Sequence, residues 1–307
     1  EKLKKIYEFC QSQINNISFD TTLTDEDRKK LPSTKSIADI LKRKSGSAQF
    51  IDLLFGALAT AAGFESRVAF SGNRSEMFFK PEMTNESLIH PAAIAIKVGS
   101  KFQYFNPGMK FLPYGMLVWY EEDTWALLIG EDNFMWERTP ITDHENSVAN
   151  RSGRFELKED GSLEGNVRIE YSGHPALTYR MDNYDESLSK AEDNLKEEIK
   201  SRISTAEVID LKIENLTDAT KPLVHSYKLK VPNYAQKTGK RLFIQPGFFE
   251  SGRNPLFSSG ERKYDIFFRH PWAEKDNIEI KMPAGFELDN AETPPPVMDP
   301  QRIGSLE

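Results

Sequence analysis

The 307-residue chain reads as an α+β protein in two parts, a helix-and-sheet first half followed by a strand-rich second half. Three observations predict this. The apolar segment 48–62 has the length and uniformity of a buried helix, strand-length runs of β-branched and aromatic residues follow it, and a polar stretch at 143–153 precedes a further series of strand-like runs. The boundaries that result are 1–142, 143–290, and a Pro-rich linker or truncated end at 291–307.

Leu3, Ile6, Cys10 and Ile14 recur at helical spacing, so an amphipathic helix opens the chain within 1–17. Cys10 lies on that stripe, and no histidine follows nearby to act as its base, so a packed thiol is favoured over a catalytic one. Residues 18–33 are polar, broken by Asp and Pro, and read as a loop. Ser36 with Asp39 resembles a capping box opening a short helix at 37–44. In the helix at 48–62, Ile51, Leu54, Phe55, Leu58 and Ala62 make the wide face, while Gln49, Asp52, Gly56 and Thr60 make a narrow polar or small one. Gly63 stands where a C-terminal cap belongs. Strands are expected at 65–70, 92–98, 101–105, 126–129 and 134–138, with a tight hairpin at Val98-Gly99-Ser100-Lys101. In the second half, strands are expected at 154–157, 165–171, 206–213, 224–231, 264–268 and 277–281. One long helix at 185–203, with Leu188, Ala191, Leu195, Ile199 and Ile203 on one face, interrupts them. That pattern predicts a β-sandwich-like domain carrying a single helix.

Composition narrows the function classes. A charged fraction of 28 % with 38 % hydrophobic residues is globular rather than disordered. The formal charge of −7 argues against a nucleic-acid partner, and Arg28-Lys29-Lys30 and Lys42-Arg43-Lys44 read as solvated helix ends. No apolar run reaches the roughly 18–20 residues of a membrane helix. A start at Glu1 and the segment Arg302 to Leu306 suggest an excised fragment with domains missing on both sides. One cysteine excludes an internal disulfide and a thiolate zinc cluster. His144, His174, His225 and His270 are scattered without ligand spacing, and Asp182, Asp185 and Glu186 read as favourable charge at a helix start rather than a calcium site. No phosphate-binding glycine loop or dinucleotide fingerprint occurs, so no cofactor is expected.

The turn Gly46-Ser47-Ala48-Gln49 feeds straight into the apolar helix, an arrangement suited to a nucleophile at a helix N-terminus. The helix, glycine and strand LLFGALATAAGFESRV (53–68) and the stretch KFQYFNPGMKFLPYGML (101–117) follow in order. Together with the opening helix, the segment 36–46 and the strand at 134–140, they resemble the transglutaminase-like domains of bacterial multi-domain proteins, whose core is the papain-like cysteine-protease arrangement. The second half resembles, without a sharp motif, the β-domain that commonly follows. Working members of that family use a cysteine, a histidine and an aspartate. The resemblance places the cysteine on Ala48, the aspartate on Asn106, and the histidine on or beside Pro91, with His90 one residue out of register unless a bulge at Pro91 restores it. Ser45 and Ser47 occupy neither the aligned position nor a nucleophile elbow.

The expectation is therefore a pseudoenzyme: a non-catalytic binding or scaffold module that takes a peptide, protein or glycan in a vestigial cleft. Asp52, Tyr114 and Trp119 are the candidate groove residues, and Asp52 bonding local backbone is the blander reading. The resemblance alone implies a periplasmic or cell-envelope location. The alternatives are an active peptidase or amide-transfer enzyme using His90 with an unconventional nucleophile, and a structural spacer whose groove is filled by side chains from 78–89.

Overall fold

Helix α1 (Lys2–Gln13) forms where its stripe predicts, burying Leu3, Tyr7 and Cys10, in a computed structural model that describes residues 1–289, 292–300 and 304–306. Strand β1 (Asn15–Asn16) and a 3-10 turn (Ile17–Phe19) follow. Helix α2 (Asp25–Lys30) then occupies part of the expected loop. Thr24 and Asp27 form a capping box there, with acids in the first turn and bases in the last, so local capping makes a helix without any apolar stripe. The capping box of Ser36 and Asp39 opens α3 (Ile37–Arg43), and Lys44 ends it with left-handed backbone. Both basic runs thus lie at helix ends.

Strand β2 (Ser45–Gly46) pairs in parallel with β1 and delivers the chain into α4 (Ala48–Ala61). Gly63, at φ +92°, turns the chain out of α4. Ile51, Leu54, Phe55, Gly56 and Ala59 are the buried residues of α4. Gly56 is therefore not on an outer stripe: a Cβ there would meet Ile94 Cγ2 at 3.3 Å, so its smallness sets how closely α4 packs on the sheet.

That sheet contains β3 (Ser66–Ser71), β4 (His90–Val98), β5 (Lys101–Phe105), β6 (Trp125–Ile129) and β7 (Phe134–Arg138), all antiparallel, in the order β5-β4-β3-β6-β7. Strand β4 is buried on both faces. Ile94 and Ile96 join α1 and α4 in one core cluster, while Ala93 and Ala95 pack with Tyr104, Leu117, Ala126 and Leu128 in another. A bulge interrupts its pairing with β3: Ala69 faces Ala93, but Phe70 faces Pro91.

The second half builds β8 (Val148–Leu157), β9 (Leu163–Tyr171), α5 (Gly173–Asp182), α6 (Leu188–Arg202), β10 (Glu207–Glu214), β11 (Leu223–Val231), a small hairpin of β12 (Gln236–Thr238) and β13 (Arg241–Phe243), and β14 (Ala273–Lys281). Its five-stranded sheet runs β10-β11-β9-β8-β14, with β14 parallel to β8 and the other pairs antiparallel. The α+β class holds in both halves. The second half is strand-rich and carries the expected long helix, but helices and the Phe248–Phe249 turn, rather than a second large sheet, face the five strands: Ala191, Leu195, Ile199 and Phe248 pack with Leu163, Val167 and Leu229.

Three expectations for this half change. Strand β8 starts inside the polar stretch, because Arg151 points into the protein and is neutralised there by Glu250, Glu274 and Asp276 at 2.8, 2.8 and 2.6 Å. The expected long helix forms as α6, and a second helix, α5, precedes it. Asp182 ends α5, Asp185 and Glu186 lie in the connection, Ser187 caps α6, and Leu188 is half-exposed. Residues 264–268 form no strand, and Phe267 instead packs on Phe78 from the first half with ring centroids 5.3 Å apart. Of the expected linker, residues 291, 301–303 and 307 lie outside the described residues. No described helix is long and apolar enough to cross a membrane.

Candidate functional site

The site assembles at the head of α4. Ser47 is the N-cap residue without a side-chain cap bond, and the Ala48 N–H donates instead to Ser18 Oγ at 3.0 Å. Residues 106–109 lie against this first turn. The Gly108 N–H donates to Asp52 Oδ1 at 2.7 Å, and Asn16 Nδ2 donates to the Gly108 carbonyl at 2.7 Å. A Cβ on Gly108 would stand 2.1 Å from the Ala48 carbonyl oxygen, so only glycine permits this approach. Asp52 therefore clamps backbone, but that of a distant segment rather than the local backbone of its blander reading. Burial pushes its pKa well above the ordinary carboxylate value, with the Gly108 bond opposing and the charge of Glu121 adding to the rise.

Asn106 follows β5 and is buried. Its Nδ2 donates to the Ala92 carbonyl at 2.6 Å and its Oδ1 accepts from the Met109 N–H at 2.8 Å, so the side chain ties the end of β5 to the start of β4. His90 begins β4 beyond the bulge, with Nε2 3.5 Å from Glu121 Oε1. Its side chain is 43 % exposed, whereas Glu121 is buried in the 3-10 turn Trp119–Glu121. The carboxylate raises the His90 pKa against the opposing effect of burial. Burial raises the pKa of Glu121 in turn, and the nearby His90 and Asn106 side chains moderate that rise.

Segment 106–109 thus brings Ala48, Asp52 and Asn106 together, and Glu121 lies beside His90. The other two groove candidates lie elsewhere. Trp119 is covered by Arg269, whose guanidinium sits 5.3 Å from the ring centroid. Tyr114 packs on Tyr7 and Phe105, and it also lines a hollow of about 750 Å³ between the two halves, together with Tyr104, Glu122, Tyr171 and Arg180. Neither Ala48 nor Asp52 lines that hollow, nor a second one of about 800 Å³ on the polar face of the C-terminal sheet. Of the side chains expected to plug a groove, Phe79 packs on Trp136 and Phe78 is exposed, so neither fills the space beside Ala48.

Cys10 is fully buried in the α1–α4 core, and its pKa is pushed up to about 12 by burial, with the nearby Asp52 adding to the effect. It is a thiol, not a thiolate, at neutral pH.

Sequence reasoning missed Glu121 and its neighbour Glu122. Three consecutive acids, Glu121-Glu122-Asp123, inside the aromatic and apolar stretch 117–129 were the available signal, since buried carboxylates need partners. Glu122 is 1 % exposed and accepts from Thr142 Oγ1. His174 Nε2 lies 3.1 Å from its Oε1, within ion-pair distance though not aligned as a hydrogen bond. The His270 ring stacks 4.4 Å from His174, so histidines that look scattered in sequence meet at the junction of the halves.

No family model matches this chain, and no curated protein matches it. A solved structure from Parabacteroides distasonis, named a "putative protease", is similar over 75 % of this chain and 49 % of its own, at 11 % identity and a TM-score of 0.31. The chain spans about half the length of that protein, and the overlap is too loose to carry a residue role from one to the other.

Proposed function

We propose that this chain is a non-catalytic, transglutaminase-like module that binds a peptide, protein or glycan segment, or holds neighbouring parts of an envelope protein in place. The observation that supports it is the pairing of Ala48 with Cys10. A methyl group stands at the head of α4, while the one thiol in the chain is sealed in the core with its proton held on. Losing the attacking group of a covalent mechanism lowers turnover by several orders of magnitude. The polar atoms around Ala48 are also committed to backbone: Ser18 to the Ala48 N–H, Asp52 to Gly108, and Asn106 to Ala92 and Met109.

A ligand seat fits better in the hollow lined by Tyr114 than beside Ala48. Its volume of about 750 Å³ lies within the ordinary range for ligand clefts, and it opens between the two halves. The envelope location rests on the resemblance alone, and fractionation of the source cells tests it.

The reading is tested by incubating the purified chain with a mixed peptide library and with glutamine- and lysine-containing peptides. Mass spectrometry should find no cleavage and no cross-links. Turnover that vanishes on Cys10→Ser, or on His90→Gln, overturns it.

A further inference from the structure

Strand β13 ends at Phe243 and β14 begins at Ala273, and the residues between them form no helix or strand. Connections of that length without secondary structure of their own are uncommon in compact proteins, and ordered ones are usually functional. This one is held by its own side chains. The Phe257 and Phe268 rings meet edge to face at 5.6 Å, Phe268 lies 5.3 Å from Trp272, and the Arg262 guanidinium sits over Phe257. Its far end is tied to the first half: Arg74 Nη2 donates to the Arg269 carbonyl at 3.0 Å, and Phe267 rests on Phe78.

Yet every residue from 252 to 269 is exposed. Leu256, Phe257, Tyr264, Ile266, Phe267 and Phe268 all stand in that run, and Tyr264 at 88 % and Leu256 at 78 % are covered by almost nothing. Apolar exposure gathered in one stretch marks a surface that another body covers. Two observations say which kind. Side chains this free stand on a protrusion, and neither of the two hollows described above includes a residue of the stretch. A protrusion enters its partner rather than receiving it. The charge also runs against that of the whole chain. Arg253, Arg262, Lys263 and Arg269 outnumber Glu261 and Asp265 here, although the chain carries −7 overall. Glu250 and Glu274 engage Arg253, whereas Arg262 and Lys263, next to Tyr264, form no ion pair among the described residues.

We propose that residues 252–272 form a membrane-docking loop, whose aromatic and aliphatic tips enter the headgroup layer of a bilayer while Arg262 and Lys263 meet its anionic phosphates. Tyr264 and Trp272 are of the residue types that favour that layer, each with an apolar ring and a polar handle. The proposal uses no residue of the 106–109 segment or of the hollow lined by Tyr114, so it stands or falls apart from the non-catalytic reading.

Sedimentation of the whole chain with vesicles tests it. Vesicles of equimolar phosphatidylglycerol and phosphatidylcholine should carry the protein down at low salt, and added salt should release it. Phosphatidylcholine alone should bind it much more weakly. Leu256→Ser combined with Tyr264→Ser should lower the partition coefficient at least about tenfold. Arg262→Gln and Lys263→Gln should each lower it about fivefold. All four side chains are exposed, so unchanged thermal unfolding is expected of the variants, and the salt series on the unmodified chain carries the test without them. Failure to sediment with the anionic vesicles, equal binding to phosphatidylcholine alone, or binding that none of these replacements weakens overturns the proposal. So does a concentration-dependent dimer in sedimentation velocity that the Leu256 and Tyr264 replacements dissolve, because a second copy would then be what covers the loop.

Discussion

Two neighbouring glutamates meet histidines in opposite settings. Glu121 lies beside His90 at the start of β4, where the imidazole is 43 % exposed and the carboxylate–imidazole separation is 3.5 Å. Glu122 faces the junction of the halves, where it and His174 are each 1 % exposed and 3.1 Å apart, with Thr142 and His270 closing the group. The residue types are the same, but the access differs. An imidazole that can gain and lose a proton to solvent or to a ligand is available for chemistry. One sealed against a carboxylate is available only to hold two parts of a protein together. The difference leaves the first imidazole accessible to solvent and the second sealed at the junction of the halves.

The sharpest way to break this comparison is to cut the sealed pair. Glu122→Ala strands His174 in a buried pocket and removes the acceptor of Thr142. Losing one partner of such a pair costs about 3–5 kcal/mol, so urea unfolding should show a loss of that size. Glu121→Ala, whose histidine can turn to water, should lose less. Equal losses at the two positions would remove the distinction between them.

A second test acts on the backbone that assembles the open site. Gly108→Ala drives a methyl into the Ala48 carbonyl, a contact that only movement of the 106–109 segment or of the α4 head relieves. Overpacking of this kind costs about 1–3 kcal/mol. The Gly108 bond to Asp52 should lengthen or break, and amide exchange at Gly108 reports it directly. Unchanged exchange with unchanged stability would show that the clamp does not hold the site.

These two regions also mark what the sequence discloses. The α4 helix, its glycine exit, the hairpin at 98–101 and the first-half strands are written in apolar periodicity and turn residues, and each forms within a few residues of its expected place. Polar residues that point inward hid the rest. Arg151 makes β8 look like a loop because its neutralising acids lie about 100 and more positions away. Arg180 masks α5 in the same way, since its guanidinium is buried on the carbonyls of Asn215, Asp218 and Lys221. Glu121 and Glu122 drew no reading from sequence, because the histidines beside them come from β4 and α5. The resemblance singled out Ala48 and Asn106, and helical spacing singled out Asp52, and the fold brings the three together around segment 106–109. Gly108 and Glu121 were not, because their importance lies in what approaches them.

The smallest effect expected concerns Asp52, and it follows from the sign of its titration. A carboxyl whose pKa is raised in the folded state binds its proton more tightly there than in the unfolded chain. Its contribution to stability is complete below the unfolded value of about 3.9 and is lost as pH rises through the folded value. Asp52→Asn keeps an oxygen acceptor for the Gly108 N–H at the same position while removing the charge. The variant should therefore match the parent at low pH and exceed it at neutral and higher pH, with a flatter stability profile between. Thermal unfolding across that range measures the difference. A variant less stable than the parent at neutral pH would mean that the Asp52 carboxylate is held ionised by partners beyond Gly108, and that the head of α4 is an anion site rather than a backbone clamp.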